Sequence, residues 1–289
     1  MNTSIICGYN YSVALLSDGN IECWGDNSFN QCDCVYKTFS GLIKIACGYR
    51  HSVALRSDGT IECWGDNEYN QCDPVYKSFD CIIDVVCGNF YSVALKSDGT
   101  VECWGYNQWD QVYKSFTNVI DLACGLDHLV ALTSDGTLEC WGDNEDNQCN
   151  CVYKSFACVI KIACGSYHSV ALRSDGTLEC WGSNEDNQCN LVYKSFNGVI
   201  KVTCRYKHSV ALKEDGTLEC WGNNSKYQCD EVYETFTGVI DVACGFYHSV
   251  ALLDTGTIEC WGDNKENQCD SVYKTFTNIK IPKTDYILK

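Results

Sequence analysis

Residues 164–189 read Cys164-Gly-Ser-Tyr-His168-Ser-Val-Ala-Leu-Arg-Ser-Asp175-Gly176-Thr-Leu-Glu-Cys180-Trp181-Gly182-Ser-Asn184-Glu-Asp-Asn-Gln188-Cys189. Apolar and polar residues alternate from Val159 to Cys164 and again from His168 to Arg173, the period expected of half-buried strands. Ser174-Asp175-Gly176-Thr177 supplies the left-handed positions of a tight hairpin turn, which leads to a third strand over Leu178 to Gly182. A polar Asn/Asp loop then leads to a fourth strand expected around Gln188 to Tyr193.

The stretch recurs seven times. Its first cysteine falls at Cys7, Cys47, Cys87, Cys124, Cys164, Cys204 and Cys244, spaced by 40 residues except for 37 between Cys87 and Cys124. The third copy lacks the Asn-Gln-Cys-Asp segment, so Gln111 runs directly into Val112. Val-Tyr-(Lys/Glu)-x-Phe connectors, from Val35-Tyr36 to Val272-Tyr273, separate the copies. Four antiparallel strands in about 40 residues, with Trp-Gly closing the third, describe a propeller blade. The expected fold is all-β: one seven-bladed β-propeller domain over 1–289, with repeats beginning near 4, 44, 84, 121, 161, 201 and 241 and a C-terminal tail at 280–289.

Composition narrows the function classes. In 289 residues, 21 Lys+Arg face 38 Asp+Glu, a formal charge of −17. Such a chain lacks the basic surface that displaces counterions from nucleic acid, and an anionic membrane is disfavoured for the same reason. Hydrophobic residues at 45% and aromatics at 12% suffice for a sizeable core. No run of 18 apolar residues occurs, so no helix is expected to span a bilayer. Met1 to Leu16 carry no basic stretch and are interrupted by Gly8, Tyr9, Asn10 and Tyr11, so they do not read as a secretory signal. A reducing, cytoplasmic compartment is therefore expected, in which 24 cysteines suggest metal ligation or buried thiols rather than disulfides.

The order His168-Ser-Val-Ala-Leu, Asp175-Gly176, Trp181-Gly182-x-Asn184, repeated seven times, resembles the regulator-of-chromosome-condensation repeat family. That resemblance implies a propeller. It does not choose a function, because members include an exchange factor for a small nuclear GTPase, a plant ultraviolet-B photoreceptor and bacterial inhibitor proteins. The chain departs from the pattern in carrying Asn-Gln-Cys in place of Gly-Gln-Leu and Glu-Cys-Trp-Gly in all seven repeats. With its richness in Asn, Lys, Ile, Tyr and Asp, the Cys-bearing array is similar to repeat proteins of giant DNA viruses of amoebae, which implies a structural component packaged in a virus particle.

Twenty cysteines occupy three repeat positions, those of Cys164, Cys180 and Cys189. Cys34, Cys81, Cys151 and Cys158 lie in connectors. If a tight turn at Gly165 sets Cys164 opposite His168, three thiols and one imidazole share a face, a Cys3His set suited to structural zinc. Five repeats hold the full set: Cys47, His51, Cys63 and Cys72; Cys124, His128, Cys140 and Cys149; Cys164, His168, Cys180 and Cys189; Cys204, His208, Cys220 and Cys229; Cys244, His248, Cys260 and Cys269. In the first repeat Tyr11 replaces His, and Cys34 joins Cys7, Cys23 and Cys32 as a sixth set. The third has Tyr91 and lacks two ligands. Inert buried thiols are the alternative, and disulfides are disfavoured because three cysteines per repeat leave an odd one.

Catalytic chemistry is not expected. His168 and Ser169 are adjacent in a strand and point to opposite faces, so they cannot act as base and nucleophile. Loops such as Asp143 to Gln148 lack the glycine and terminal glutamate of a calcium loop and read as turns. Glu179 and its counterparts read as solvated or paired with connector lysines. One Trp per repeat reads as core, and only Trp109 is additional, too few for a photoreceptor's tryptophan cluster. The expected function is a non-enzymatic scaffold or protein-interaction module whose partner presents a basic face. The alternative is an exchange factor-like regulator of a small GTPase with inert thiols, though the chain has no basic tail and no long insertion between strands.

Overall fold

The computed structural model describes residues 5–33, 41–73, 81–106, 117–150, 158–190, 198–230 and 236–270. Each segment carries one antiparallel sheet of three consecutive strands, seven sheets in all. In the fifth these are an inner strand Val159–Cys164, a middle strand His168–Arg173 and an outer strand Leu178–Gly182. The fourth strand expected from Gln188 does not begin there: residues 188 and 189 are turn, 190 is not in a strand, and 191–193 lie outside the described residues. So do the Val-Tyr connectors and the 280–289 tail.

The inner strands of all seven repeats line one central cavity, contributing among others Ile5, Ile45, Val85, Leu122, Ile162, Val202 and Val242. The sheets therefore stand as blades around an axis. Each middle strand is covered on both faces by neighbouring blades, which explains its unbroken Ser-Val-Ala-Leu run: Val170, Ala171 and Leu172 are all fully buried. One face of the fifth blade, with Ala163, Val170 and Leu172, packs against Val202, Cys204, Ala211 and Trp221 of the sixth. Each such Val or Leu contributes roughly 1.5–3 kcal/mol on leaving water.

The inner strands bulge in six blades, in the fifth between Val159 and Lys161. The bulge turns Ile160 outward to 46% exposure, so Ile160 does not share a face with Cys164 as simple alternation implies. Next to the bulges, six of the described residues carry charge and pair between neighbouring blades. The pairs are Lys44 with Asp84, Lys161 with Asp121 and Lys201 with Asp241.

Two belts of hydrogen bonds join the blades. The imidazole Nε2 of His128 lies 2.9 Å from the Ser169 hydroxyl of the following blade, and His51 meets Ser92, His168 meets Ser209 and His208 meets Ser249 in the same way. His248 meets Ser12, closing the ring between the seventh and first blades. Where His is replaced, a phenol spans the seam: Tyr11 donates to His51 O at 2.6 Å and Tyr91 to His128 O at 2.7 Å. In the second belt, the indole N–H of six tryptophans, Trp24, Trp64, Trp104, Trp181, Trp221 and Trp261, donates to the loop glutamine carbonyl of the preceding blade, as Trp181 does to Gln148 O at 2.8 Å and Trp24 to Gln268 O at 2.9 Å.

Candidate interaction face

The hairpin register decides which cysteines can meet. Gly165 N–H donates to His168 O at 2.9 Å, so His168 completes the turn and the ladder begins with Cys164 opposite Ser169. The one-residue difference from the expected pairing moves Cys164 to the opposite face from His168. Cys180 does pair with Val170, as expected. Each Cys3His set is thus divided three ways. Cys47, Cys124, Cys164, Cys204 and Cys244 stand opposite Ser52, Leu129, Ser169, Ser209 and Ser249. His51, His128, His168, His208 and His248 turn to the neighbouring blade. The last two cysteines of each set stay together.

Cys140–Cys149, Cys180–Cys189, Cys220–Cys229 and Cys260–Cys269 are disulfides with Cα atoms 5.1–5.2 Å apart. In the first blade Cys23–Cys32 is likewise a disulfide, Cys7 accepts from the Ser12 hydroxyl, and Cys34 lies outside the described residues. Cys63 and Cys72 occupy the same places in the second blade as adjacent thiols. The odd-cysteine argument fails because sheet geometry sorts three cysteines into one pair and one inner-strand thiol. Among the described residues no group of three His, Cys, Asp or Glu side chains is arranged to hold a metal ion.

The histidines are sealed. All five are fully buried, and burial holds their pKa values down at about 3 for His51, His168 and His248 and about 4 for His128 and His208. The tautomer of His128 follows from its seam. Ser169 Oγ donates its proton to Gln148 O at 3.1 Å, so its lone pair is left to accept from His128, whose Nε2 carries the hydrogen. His128 and Gln148 belong to one blade and Ser169 and Trp181 to the next. The His–Ser contacts are therefore mortar between blades, out of reach of any substrate.

One end of the ring carries both the Gly-x-x-His turns and the loops after Trp-Gly. The two are tied together, Ser183 N–H donating to Tyr167 O at 2.8 Å. Gly182, at φ 107°, has no room for a Cβ against the Tyr167 carbonyl and His168 Cα. Each loop is closed by its own amides: Asn184 Oδ1 accepts from Cys189 N–H at 2.9 Å, Gln188 Oε1 accepts from Asp186 N–H at 2.7 Å, and Asn187 takes φ 63°. The loops are turns, as their sequence implies, and they expose Asp33, Glu68, Glu145, Glu185, Glu266 and Asp270.

Inside that acidic rim, turn residues form an arc of half-buried rings. Phe90, Tyr49, Tyr9, Phe246 and Tyr206 follow one another with ring centroids 5.3, 4.2, 4.1 and 3.8 Å apart. Two cations already sit on it. The Arg50 guanidinium lies over Phe29 at 4.0 Å and Tyr49 at 4.7 Å. The Lys207 ammonium lies near Tyr167 and Tyr206 and pairs with Asp186 at 3.0 Å and Glu185 at 3.6 Å, contacts that push its pKa up. Aromatic faces with carboxylates behind them attract cations by quadrupole and charge together.

The arc carries no motif, and only the recurrence of Tyr and Phe in the two positions before His or Tyr could have pointed to it. Four of the glutamates, expected to be solvated or paired with connector lysines, pair with the second strand: Glu62 with Arg56, Glu102 with Lys96, Glu179 with Arg173 and Glu219 with Lys213. No helix among the described residues is long and apolar enough to cross a membrane.

Comparison with known proteins accords with the ring. The chain is similar in structure to the CRINKLY WD40 ectodomain of the Arabidopsis thaliana receptor kinase ACR4, at TM-score 0.74 and 24% identity over 90% of this chain and 94% of that one. It is similar to Prp20p from Saccharomyces cerevisiae, at TM-score 0.71 and 18% identity over 96% and 87% of the two chains. It is also similar to yeast RCC1 in complex with Kap60, at TM-score 0.69 and 19% identity over 91% and 84%. No curated protein matches its sequence. The model of the regulator of chromosome condensation (RCC1) repeat matches residues 3–31, 42–71, 82–108, 119–148, 159–188, 199–228 and 239–268, and the chain belongs to that repeat family.

Proposed function

We propose that the protein is an interaction scaffold whose aromatic, acid-rimmed end receives a protein partner through that partner's lysine and arginine side chains. The observation that carries this reading is the Lys207 site, where two tyrosines and two carboxylates already hold an ammonium at the surface. The same materials continue around the ring, and complementary charge steers such a partner into place. Two structural relatives support a protein partner: yeast RCC1 is seen bound to Kap60, and Prp20p is described by its binding to Gsp1p and histones.

A titration with a labelled Lys/Arg-rich polypeptide tests the reading. Saturable binding is expected, weakened several-fold by Glu185→Gln with Asp186→Asn and by added salt, and absent for an acidic polypeptide of equal length. Equal binding of both polypeptides would overturn it. Accelerated nucleotide exchange on a small GTPase would support the exchange-factor reading instead.

A further inference from the structure

We propose that the paired cysteines are reversible redox clasps on the loops of this face, each opening to a dithiol and closing to a disulfide without rearrangement of the loop it fastens. The proposal does not depend on which partner binds.

The same nine-residue separation and Cα spacing of 5.1–5.2 Å recur in five blades, within the range a disulfide spans. The second blade supplies the other state in the same molecule. There Cys63 and Cys72 are thiols, yet Cys72 N–H donates to Asn67 Oδ1 at 2.8 Å, Asn70 takes φ 61° and Trp104 donates to Gln71 O at 2.8 Å. In the disulfide-bonded fifth blade the equivalent values are 2.9 Å for Cys189, 63° for Asn187 and 2.8 Å for Trp221. Amide side chains, not the sulfur bridge, shape the loop, so either redox state fits it.

Position gives the clasp its effect. It joins the outer strand to the residue after the loop glutamine, whose carbonyl takes the next blade's tryptophan. Closing it pins both the exposed loop and one anchor of the seam. The inner-strand thiols stay apart on the other face of the sheet, most of them buried beside serine, as Cys47 is beside Ser52 at 3.7 Å and Cys87 beside Ser92 at 3.8 Å.

The chemistry is thiol–disulfide exchange with a low-molecular-weight disulfide such as oxidised glutathione. One cysteine thiolate attacks that disulfide and releases one glutathione thiolate. The neighbouring cysteine thiolate then displaces the second, forming the Cys–Cys bond. The two protons lost by the cysteines pass through solvent to the two released glutathione thiolates, and two electrons reduce the reagent to two thiols. Excess reduced glutathione reverses both steps. In the second blade, hydrogen bonding to Cys72 and burial raise the pKa of Cys63.

Differential alkylation and peptide mapping of the whole chain, equilibrated with oxidised or reduced glutathione, test the proposal. Expected are internal disulfides at the six pairs Cys23/Cys32, Cys63/Cys72, Cys140/Cys149, Cys180/Cys189, Cys220/Cys229 and Cys260/Cys269 in the oxidised buffer. All six should return to alkylatable thiols in the reduced one, and limited proteolysis within 183–188 should slow several-fold on oxidation. A Cys180→Ser, Cys189→Ser double variant should lose the redox response of that loop alone. Pairs left as mixed disulfides, bridges to inner-strand cysteines, or thiol protection abolished by a chelator that strips zinc would each overturn the proposal. So would a proteolysis rate in 183–188 that ignores redox state in the unsubstituted chain, which needs no variant to fold.

Discussion

His248 Nε2 and Ser12 Oγ, 236 positions apart in the chain, lie 2.9 Å from each other in full burial. The contact is one of several equivalent seams, and together with the Trp24–Gln268 bond it joins the last described blade to the first. His248→Ala is expected to cost about 2–4 kcal/mol from a lost buried hydrogen bond and the space vacated, read as a lower urea midpoint. His168→Tyr should cost less than His168→Ala, because Tyr11 and Tyr91 already bridge their seams from the same position. Equal losses in the two variants would show that shape at the seam, not the bond across it, sets stability.

Acid should loosen the ring before it titrates most carboxylates. The histidines have an ordinary pKa of 6.5 that burial depresses to about 3–4 in the folded chain. Between those limits the unfolded chain binds more protons, so stability is whole above pH 6.5 and falls as pH drops toward 3–4. The loss should reach on the order of 1 kcal/mol per histidine by about pH 5.5. Urea titrations between pH 7.5 and 5 check the slope, and a flat profile would contradict neutral buried imidazoles.

Removing the indole donor without the ring's bulk isolates the second belt. Trp221 donates to Gln188 O across a seam and is 5% exposed. Trp221→Phe should cost about 1–2 kcal/mol and Trp221→Ala about 3–5 kcal/mol, measured by thermal unfolding.

The turn before four of the five histidines, those after Gly48, Gly125, Gly165 and Gly245, has no room for a side chain. A Cβ at Gly165 would lie 2.1 Å from His168 Cε1 and 2.8 Å from Tyr206 O, so Gly165→Ala should displace the imidazole from Ser209 and destabilise by more than about 2 kcal/mol. The sixth blade carries Arg205 at this place. There the inner strand continues to Arg205, Tyr206 takes φ 46°, and the guanidinium donates to Cys47 O at 2.9 Å. Arg205→Gly should cost less than Gly165→Ala, since it removes a bond rather than adding a clash.

Much of this fold is legible in one repeat, because strand period, Asp-Gly hairpin and Trp-Gly each depend on neighbours in sequence. Cys180 opposite Val170 follows from the three-residue turn Ser174-Asp175-Gly176, across which Arg173 N–H donates to Thr177 O. The partner of Cys164 does not: whether the ladder opens at His168 or Ser169 depends on how the Gly165 turn closes, and a one-residue slip reverses the face. The outward turn of Ile160 is hidden likewise, since Val-Ile-Lys-Ile reads as an ordinary strand until the bulge is seen. The His–Ser and Trp–Gln bonds are absent from any single-repeat reading because both partners never occur in one blade. A residue whose function is fulfilled next door looks available at home, and that made the histidines look like ligands.

The charges around the axis carry an arithmetic of their own. Lys44, Asp84, Asp121, Lys161, Lys201 and Asp241 settle as neutral couples between neighbours, but seven is odd, and couples cannot tile an odd circle. The sequence leaves the remaining place uncharged, with Ser4 three residues before Cys7 where the other repeats carry Lys or Asp before theirs. A copy gained or lost among the charged six would strand an ion with no opposite beside it, whereas the first repeat could be dropped and leave three complete couples. The parity of the charge pattern thus marks the first repeat as the one this circle can lose or double without electrostatic penalty.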